Sequence, residues 1–133
     1  MFGKLLKEKR LKLDLSLREF CKKNNLDPSN WSKYERGVAK PPVNMKILDE
    51  FAGYLEIEKG TTEYQEFIDF ANIDQGKIPI DILENNRIKN FLPVFFRTAR
   101  DTRPTEEELM GIIKAIQEAY DSESWLFKTA GSL

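Results

Sequence analysis

The chain has 133 residues, 41% hydrophobic and 32% charged, with nine Phe, four Tyr and two Trp, enough for one domain with a buried core plus an appendage. It contains no histidine and a single cysteine, Cys21, which excludes a Ser-His-Asp triad, a Cys-His pair, a histidine-ligated metal and an internal disulfide. The net charge of −1 conceals an asymmetry: residues 1–42 carry eleven Lys or Arg against five Asp or Glu (+6), and residues 43–133 carry ten against seventeen (−7), so a basic portion suited to a polyanion precedes an acidic one.

The amino terminus, MFGKLLKEKR, turns charged by residue 4 and offers no apolar signal core. No stretch approaches the roughly 18 apolar residues of a membrane span, so a cytoplasmic protein without membrane contact is expected. Phe2, Leu5, Leu6, Leu11 and Leu13 fit an amphipathic first helix that Asp14 interrupts. Ser16, with Glu19 three positions on, opens a second helix through a capping box. Asn24 and Asn25 stop it, because Asn tolerates the left-handed conformation a sharp turn needs. Asp27 caps a third helix with Pro28 in its first turn. Trp31 and Tyr34 share its inner face, Ser29, Asn30, Ser32 and Lys33 are left outside, and Gly37 ends it before the stiff connector Lys40-Pro41-Pro42.

A fourth helix is expected over about 43–55, with Ile47, Leu48, Phe51, Ala52 and Leu55 inward. Thr62, followed by Gln65, opens a fifth with Tyr64, Phe67, Ile68 and Ala71 inward. Asp74 to Lys77 reads as a linker and Pro79 to Leu83 as a short helical turn. Pro93 breaks or begins a helix within the apolar run 88–96, and Arg97 to Pro104 reads as a basic loop. Pro104 and Thr105 start a final helix with Glu106, Glu107 and Glu108 in its first turn, where the dipole favours negative charge, and with Leu109, Ile112, Ile113, Ile116 and Tyr120 as its apolar face. No period-two strand is found, so the fold class is all-α.

A helix, a tight turn and a second helix with a polar free face make a helix-turn-helix. Residues 10–42, RLKLDLSLREFCKKNNLDPSNWSKYERGVAKPP, resemble the xenobiotic-response-element family of regulators, which includes the lambdoid phage repressors. The match lies in Arg10 at the end of the first helix, in Leu15-Ser16 before the second, in Ser32-x-x-Glu35-Arg36-Gly37 and in Lys40-Pro41. The chain departs from the family in having Asn25 at a turn Gly, Cys21 at a small Ala and Trp31 at an aliphatic core position. The resemblance implies a five-helix lambda-repressor-like domain over residues 1–72, followed by a smaller acidic helical region, 73–133, for dimerisation or partner binding. It also implies a structural salt bridge between Arg10 and Glu35. Cys21 reads as core packing, since a buried thiol behaves as a small apolar group.

In that docking geometry the third helix lies in the major groove of double-stranded DNA, amino end nearest the base edges. Pro28, Ser29 and Lys33 then face bases, with Asn30 and Ser32 at the margin. Lys33 is the strongest reader, because an ammonium can donate to guanine O6 and N7. Arg18, Arg36 and Lys40 are placed for phosphates, and one or two of Lys4, Lys7, Lys12, Lys22 and Lys23 join them. A homodimer would set two such helices on half-sites one turn apart. The Phe-rich surface after residue 62 (Phe67, Phe70, Phe91, Phe95, Phe96) is its candidate interface, although most of it is expected to pack within the chain. No metal, cofactor or catalytic residue is expected.

Three classes stay open for the second half. It can serve a plain repressor as a dimerisation or effector-binding region. It can belong to an antitoxin, since members of this family repress their own operon and wrap a basic ribonuclease toxin, and an acidic tail with Tyr120, Trp125 and Phe127 is compatible with that. An enzyme built on the Glu106–Glu108 carboxylates is the weakest reading, because neither a histidine nor a phosphate loop accompanies them.

Overall fold

A computed structural model describes the backbone of residues 1–131 and the side chains of residues 1–122. The described residues are all-helical, with no strand: α1 Phe2–Lys12, α2 Leu17–Lys23, α3 Pro28–Glu35, α4 Met45–Tyr54, α5 Thr62–Asp74, α6 Ile80–Glu84, α7 Asn86–Thr102 and α8 Glu106–Gly131. They form two compact units, 1–85 and 86–133. None of the helices among the described residues is long and apolar enough to cross a membrane.

Caps written into the sequence set most boundaries of the first unit. The Ser16 hydroxyl accepts the Glu19 N–H at 3.1 Å, and Asp27 Oδ1 accepts the Ser29 N–H at 2.9 Å. These bonds satisfy amides that a helix start leaves free. Helix α2 ends with Asn25 left-handed (φ 55°), and the Leu26 N–H returns to the Cys21 carbonyl at 2.8 Å. Helix α3 ends likewise at Gly37 (φ 73°), with the Val38 N–H on the Lys33 carbonyl at 2.9 Å. Both are Schellman ends, one built on Asn and one on Gly. Helix α1 has no side-chain cap of its own. Its first amide, Phe2 N–H, donates instead to Asp74 Oδ2 at 2.7 Å, at the far end of α5.

One core serves this unit. Phe2, Leu5 and Leu6 of α1 meet Phe20 and Cys21 of α2, Trp31 of α3, Leu48, Phe51 and Ala52 of α4, and Phe67, Ile68 and Ala71 of α5. Trp31, 2% exposed, lies at its centre, with ring centroids 4.9 Å from both Phe20 and Phe51. The large indole at this position is met by other rings, which interlock at tilted angles. Cys21 is fully buried, and desolvation pushes its thiol above the ordinary range.

Several expectations need correction. Leu11 is 52% exposed, and the neighbouring Arg10, at 5%, takes the inward place. Ile47 is exposed as well. The cap of α5 is Thr61 rather than Thr62, because the Thr61 hydroxyl is anchored on the Glu58 carbonyl at 2.6 Å while it receives the Tyr64 N–H. The expected linker from Asp74 is the ordered end of α5. There the Gln75 side-chain amide donates to the Pro41 and Pro42 carbonyls, at 3.2 and 2.5 Å, and these bonds tie α5 to the connector before α4. A division after residue 72 would cut α5, and the first unit instead runs on to Asn85.

In the second unit, Pro93 neither starts nor stops a helix, and 97–102 is not a loop: α7 runs through both. A proline inside a helix loses one N–H donor. Pro93 is exposed, so water can satisfy the carbonyl set free, while the apolar residues keep helical spacing on the opposite side. Helix α8 starts as expected. The Thr105 hydroxyl accepts the Glu108 N–H at 3.1 Å, and the Glu108 carboxylate accepts the Thr105 N–H at 3.3 Å, a reciprocal capping box. No described side chain between residues 86 and 122 is buried. Phe91, Phe95 and Phe96, expected to pack within the chain, are exposed, and so are Ile112, Ile113, Ile116 and Tyr120. The side chains of Trp125 and Phe127 lie outside the described residues.

Candidate nucleic-acid interface

The polar face of α3 is held outward by a brace at its inner end. Arg10 donates from Nε and Nη2 to the two oxygens of Glu35 at 2.8 and 2.9 Å, and from Nη1 to the Leu15 carbonyl at 2.8 Å. One guanidinium thus joins α1, the residue before the α2 cap and the last turn of α3. The bidentate geometry makes this a strong charge-assisted pair, and the bond to Glu35 holds the Arg10 pKa above its ordinary value. The expected Arg10–Glu35 bridge is present, and the Trp31 indole N–H joins it, donating to Glu35 Oε2 at 2.7 Å.

With Trp31, Tyr34 and Glu35 turned inward, the helical repeat fixes the rest. At about 100° per residue, Ser29, Lys33 and Arg36 fall on the side directly away from the core, and Asn30 and Ser32 fall on its two flanks. Pro28, Ser29, Asn30, Lys33 and Arg36 are exposed, whereas Ser32 is half-buried. Ser32 is also occupied, since its hydroxyl accepts from Arg36 Nε at 3.0 Å. That bond positions the guanidinium at the carboxyl end of the stripe.

Arg18 is exposed in the first turn of α2. Lys40 is exposed too, and lines a hollow with Met1, Gly37 and Asp74 at the carboxyl end of α3. Among the described residues, no carboxylate lies within ion-pair distance of Arg18, Lys33 or Lys40. Of the five further lysines named above, Lys23 is paired with Glu56 at 3.5 Å.

Two features escape a reading of the sequence. A shallow cleft of about 300 Å³ opens beside α3, floored by Trp31, Tyr34 and Phe51 and rimmed by Asp27, Asn30 and Lys33. Gly3 lies where α1 crosses the end of α3, so close that a Cβ there would fall 2.6 Å from the Glu35 carbonyl oxygen. No local pattern announces that approach; only the absence of a side chain at residue 3 hints at it.

The surface so built offers a primary ammonium, a guanidinium, an amide and small hydroxyls along one short exposed helix, with a second guanidinium on the helix before it. Ammonium, guanidinium, amide and hydroxyl groups are chemically able to donate to anionic oxygens and to base edges. Among the described residues no group of His, Cys, Asp or Glu could hold a metal ion, and the Glu108 carboxylate accepts from the Thr105 N–H and hydroxyl. Comparison with protein-family models, with curated proteins and with solved structures finds no match to this chain.

Proposed function

We propose that this chain is a cytoplasmic, sequence-specific double-stranded DNA-binding regulator, a repressor acting as a dimer on a palindromic operator through a lambda-repressor-like helix-turn-helix formed by α2 and α3. The observation that carries the reading is the stripe Ser29–Lys33–Arg36. It is a polar, cationic line on a short helix whose one buried residue is Trp31, yet braced through Glu35 to a buried arginine. In this reading Lys33 donates to guanine, Asn30 reads adenine from the flank and Arg18 and Arg36 grip phosphates on either side. Ser32 acts through Arg36 rather than on a base, which departs from the expectation that it lies at the base-reading margin. Pro28 and Ser29 permit close approach of the helix end.

The test is a selection of bound sequences from random duplex DNA with the full chain. The reading expects a two-fold symmetric consensus, and an unenriched pool contradicts it. The acidic α8, apolar on one face and exposed, favours a second reading, an antitoxin that also represses its own operon. Co-expression with a basic protein encoded beside it tests that one, and failure of the two to copurify rejects it.

A further inference from the structure

The first unit holds a hollow that the DNA reading leaves unused. It measures about 610 Å³ and lies among the start of α4, α5 and the segment 77–83, where Val43, Met45, Ile68, Ile78, Ile80 and Leu83 give it an apolar lining. Small-molecule sites have this size and this character, an apolar wall with a few polar groups that orient the occupant.

The polar groups of the hollow are biased toward acceptors. Gln65, Asn72 and Gln75 line it as well, and each has given its amide nitrogen to a group that can only accept. Gln65 donates to the Asp69 carboxylate at 3.0 Å, Asn72 to the Ile68 carbonyl at 3.0 Å, and Gln75 to the Pro41 and Pro42 carbonyls. Such partners fix which end of each amide is the nitrogen. Three amide oxygens are left over, and no donor among the described residues reaches them. Lys77 and Asp81 add one charge of each sign to the same lining. Both are exposed, and neither has an ion-pair partner among the described residues.

We propose that this hollow binds a small apolar zwitterion, the chemistry of a free apolar amino acid or of a short apolar peptide with unblocked ends. Its ammonium donates to the amide oxygens and to Asp81, its carboxylate pairs with Lys77, and its side chain takes the apolar wall. An apolar carboxylate without an amine leaves the oxygens without a donor and meets Asp81 as a like charge. An apolar amine without a carboxylate meets Lys77 in the same way. The zwitterion answers both signs, and buried polar groups are costly to leave unanswered.

Occupation reaches the proposed DNA surface through Gln75, whose nitrogen holds the connector that begins at Lys40. A donor on the oxygen of that amide polarises its N–H groups and strengthens the grip, since hydrogen bonds in series reinforce one another. The filled chain therefore holds Lys40 more firmly and binds duplex more tightly. This consequence deepens the reading above and rests on it; the site itself does not.

The experiment is calorimetric titration of the full chain with L-phenylalanine and with L-phenylalanyl-L-leucine, each beside its carboxyl-terminal amide and its N-acetyl derivative. At least one zwitterion is expected to saturate the chain one-to-one with a dissociation constant below about 1 mM, and its two blocked forms to bind at least ~10-fold more weakly. The tighter of the two tells a free amino acid from a peptide. Lys77→Gln should bring that zwitterion down to the level of its amide, and Asp81→Asn to the level of its N-acetyl form. Both positions are exposed, so melting of the first unit should not change. No saturable binding of either zwitterion up to about 10 mM overturns the proposal. So does a blocked form that binds as well as its parent, or a pair of variants that bind as tightly as the original chain.

Duplex retention, measured with and without the bound zwitterion, separates this inference from the function. A chain that takes up the ligand yet ignores all DNA keeps the site and sinks the regulator. A chain that selects an operator yet takes up neither zwitterion does the reverse. Where both bind, the ligand should tighten duplex binding about 5-fold or more, and an unchanged affinity overturns the link through Gln75.

Discussion

The indole N–H of Trp31 donates to Glu35 Oε2 at 2.7 Å, the same oxygen that receives Arg10 Nε at 2.8 Å. One turn of α3 thus joins the centre of the aromatic core to the only buried charged pair found among the described residues, and the exposed stripe rides on that joint. Replacing Glu35 by Ala leaves a buried guanidinium and a buried indole N–H without their acceptor. The expected loss is about 3–5 kcal/mol, the cost of breaking a buried pair from one side, read from urea denaturation. Arg10→Met combined with Glu35→Leu is expected to cost less than Glu35→Ala alone, because no charge is then stranded. Equal losses would mean the pair is not buried in solution.

At Gly3 the close approach of α1 to the Tyr34 and Glu35 carbonyls leaves no room for a methyl group. Gly3→Ala should destabilise by about 1–3 kcal/mol through overpacking. Gly53 lies in α4, where a methyl group would have nothing within 4 Å, so Gly53→Ala should instead stabilise by up to about 1 kcal/mol. Thermal or urea melts of the two variants are expected to move in opposite directions.

Cys21 is buried with its thiol pKa raised by desolvation. A thiol-specific reagent near neutral pH should react with it only as fast as the first unit opens, and at once in denaturant. Since the folded value lies above the unfolded one, the neutral thiol adds stability that is fully present below the ordinary thiol range and is lost as pH rises through the folded value. Rapid stoichiometric labelling of the native chain would contradict this placement.

Tyr64 donates its hydroxyl to Asp49, which also pairs with Lys59 at 3.0 Å. Burial, first, and then Asp49 push the Tyr64 pKa up to about 12, while the bonds from Tyr64 and Lys59 pull Asp49 below its usual value. The tyrosine contribution to stability is therefore present below its ordinary value of about 10 and is lost as pH rises toward 12. That of Asp49 is present above the usual carboxylate value and is lost as pH falls through the lowered one. Tyr64→Phe should weaken both limbs of the stability–pH curve. An unchanged acid limb would count against the bond.

On the proposed DNA surface, Lys33→Ala should cost about 1–3 kcal/mol on the preferred duplex and blur the preference there. Arg18→Ala and Arg36→Ala should weaken all duplexes alike and reduce the salt dependence by about one counterion each. Ser32→Ala should resemble a mild Arg36 loss, because the hydroxyl's partner is that guanidinium. Titrations at several salt concentrations distinguish these outcomes.

Much of the fold is legible in the sequence because it is set locally. Ser16, Asp27, Asn25, Gly37 and Thr105 announce helix ends through bonds that span two to five residues, and the structure contains them. What is not legible depends on partners distant in sequence. Asp74 caps α1 from 72 residues away, and Gln75 seizes carbonyls 33 and 34 residues back. Thr61 and Thr62 are equivalent in composition, and only the Glu58 carbonyl decides between them. Pro93 fails as a breaker because one lost hydrogen bond on a solvated face is outweighed by a sustained helical period on both sides. On the candidate surface, the outward placement of Ser29, Asn30 and Lys33 is readable from the inward demand of Trp31 and Tyr34. The capture of Ser32 by Arg36 is not, because hydroxyl and guanidinium have many alternatives four residues apart.

The central claim, that the outer side of α3 meets base pairs, is tested most directly by titrating the full chain into a fluorescent duplex taken from the selected pool, beside a scrambled duplex, at low and moderate salt. The account predicts tight, saturable binding to the selected duplex, at least about a thousandfold weaker binding to the scrambled one, and loss of that discrimination in Lys33→Ala. Equal affinity for both duplexes, or none for either at low salt, would contradict it.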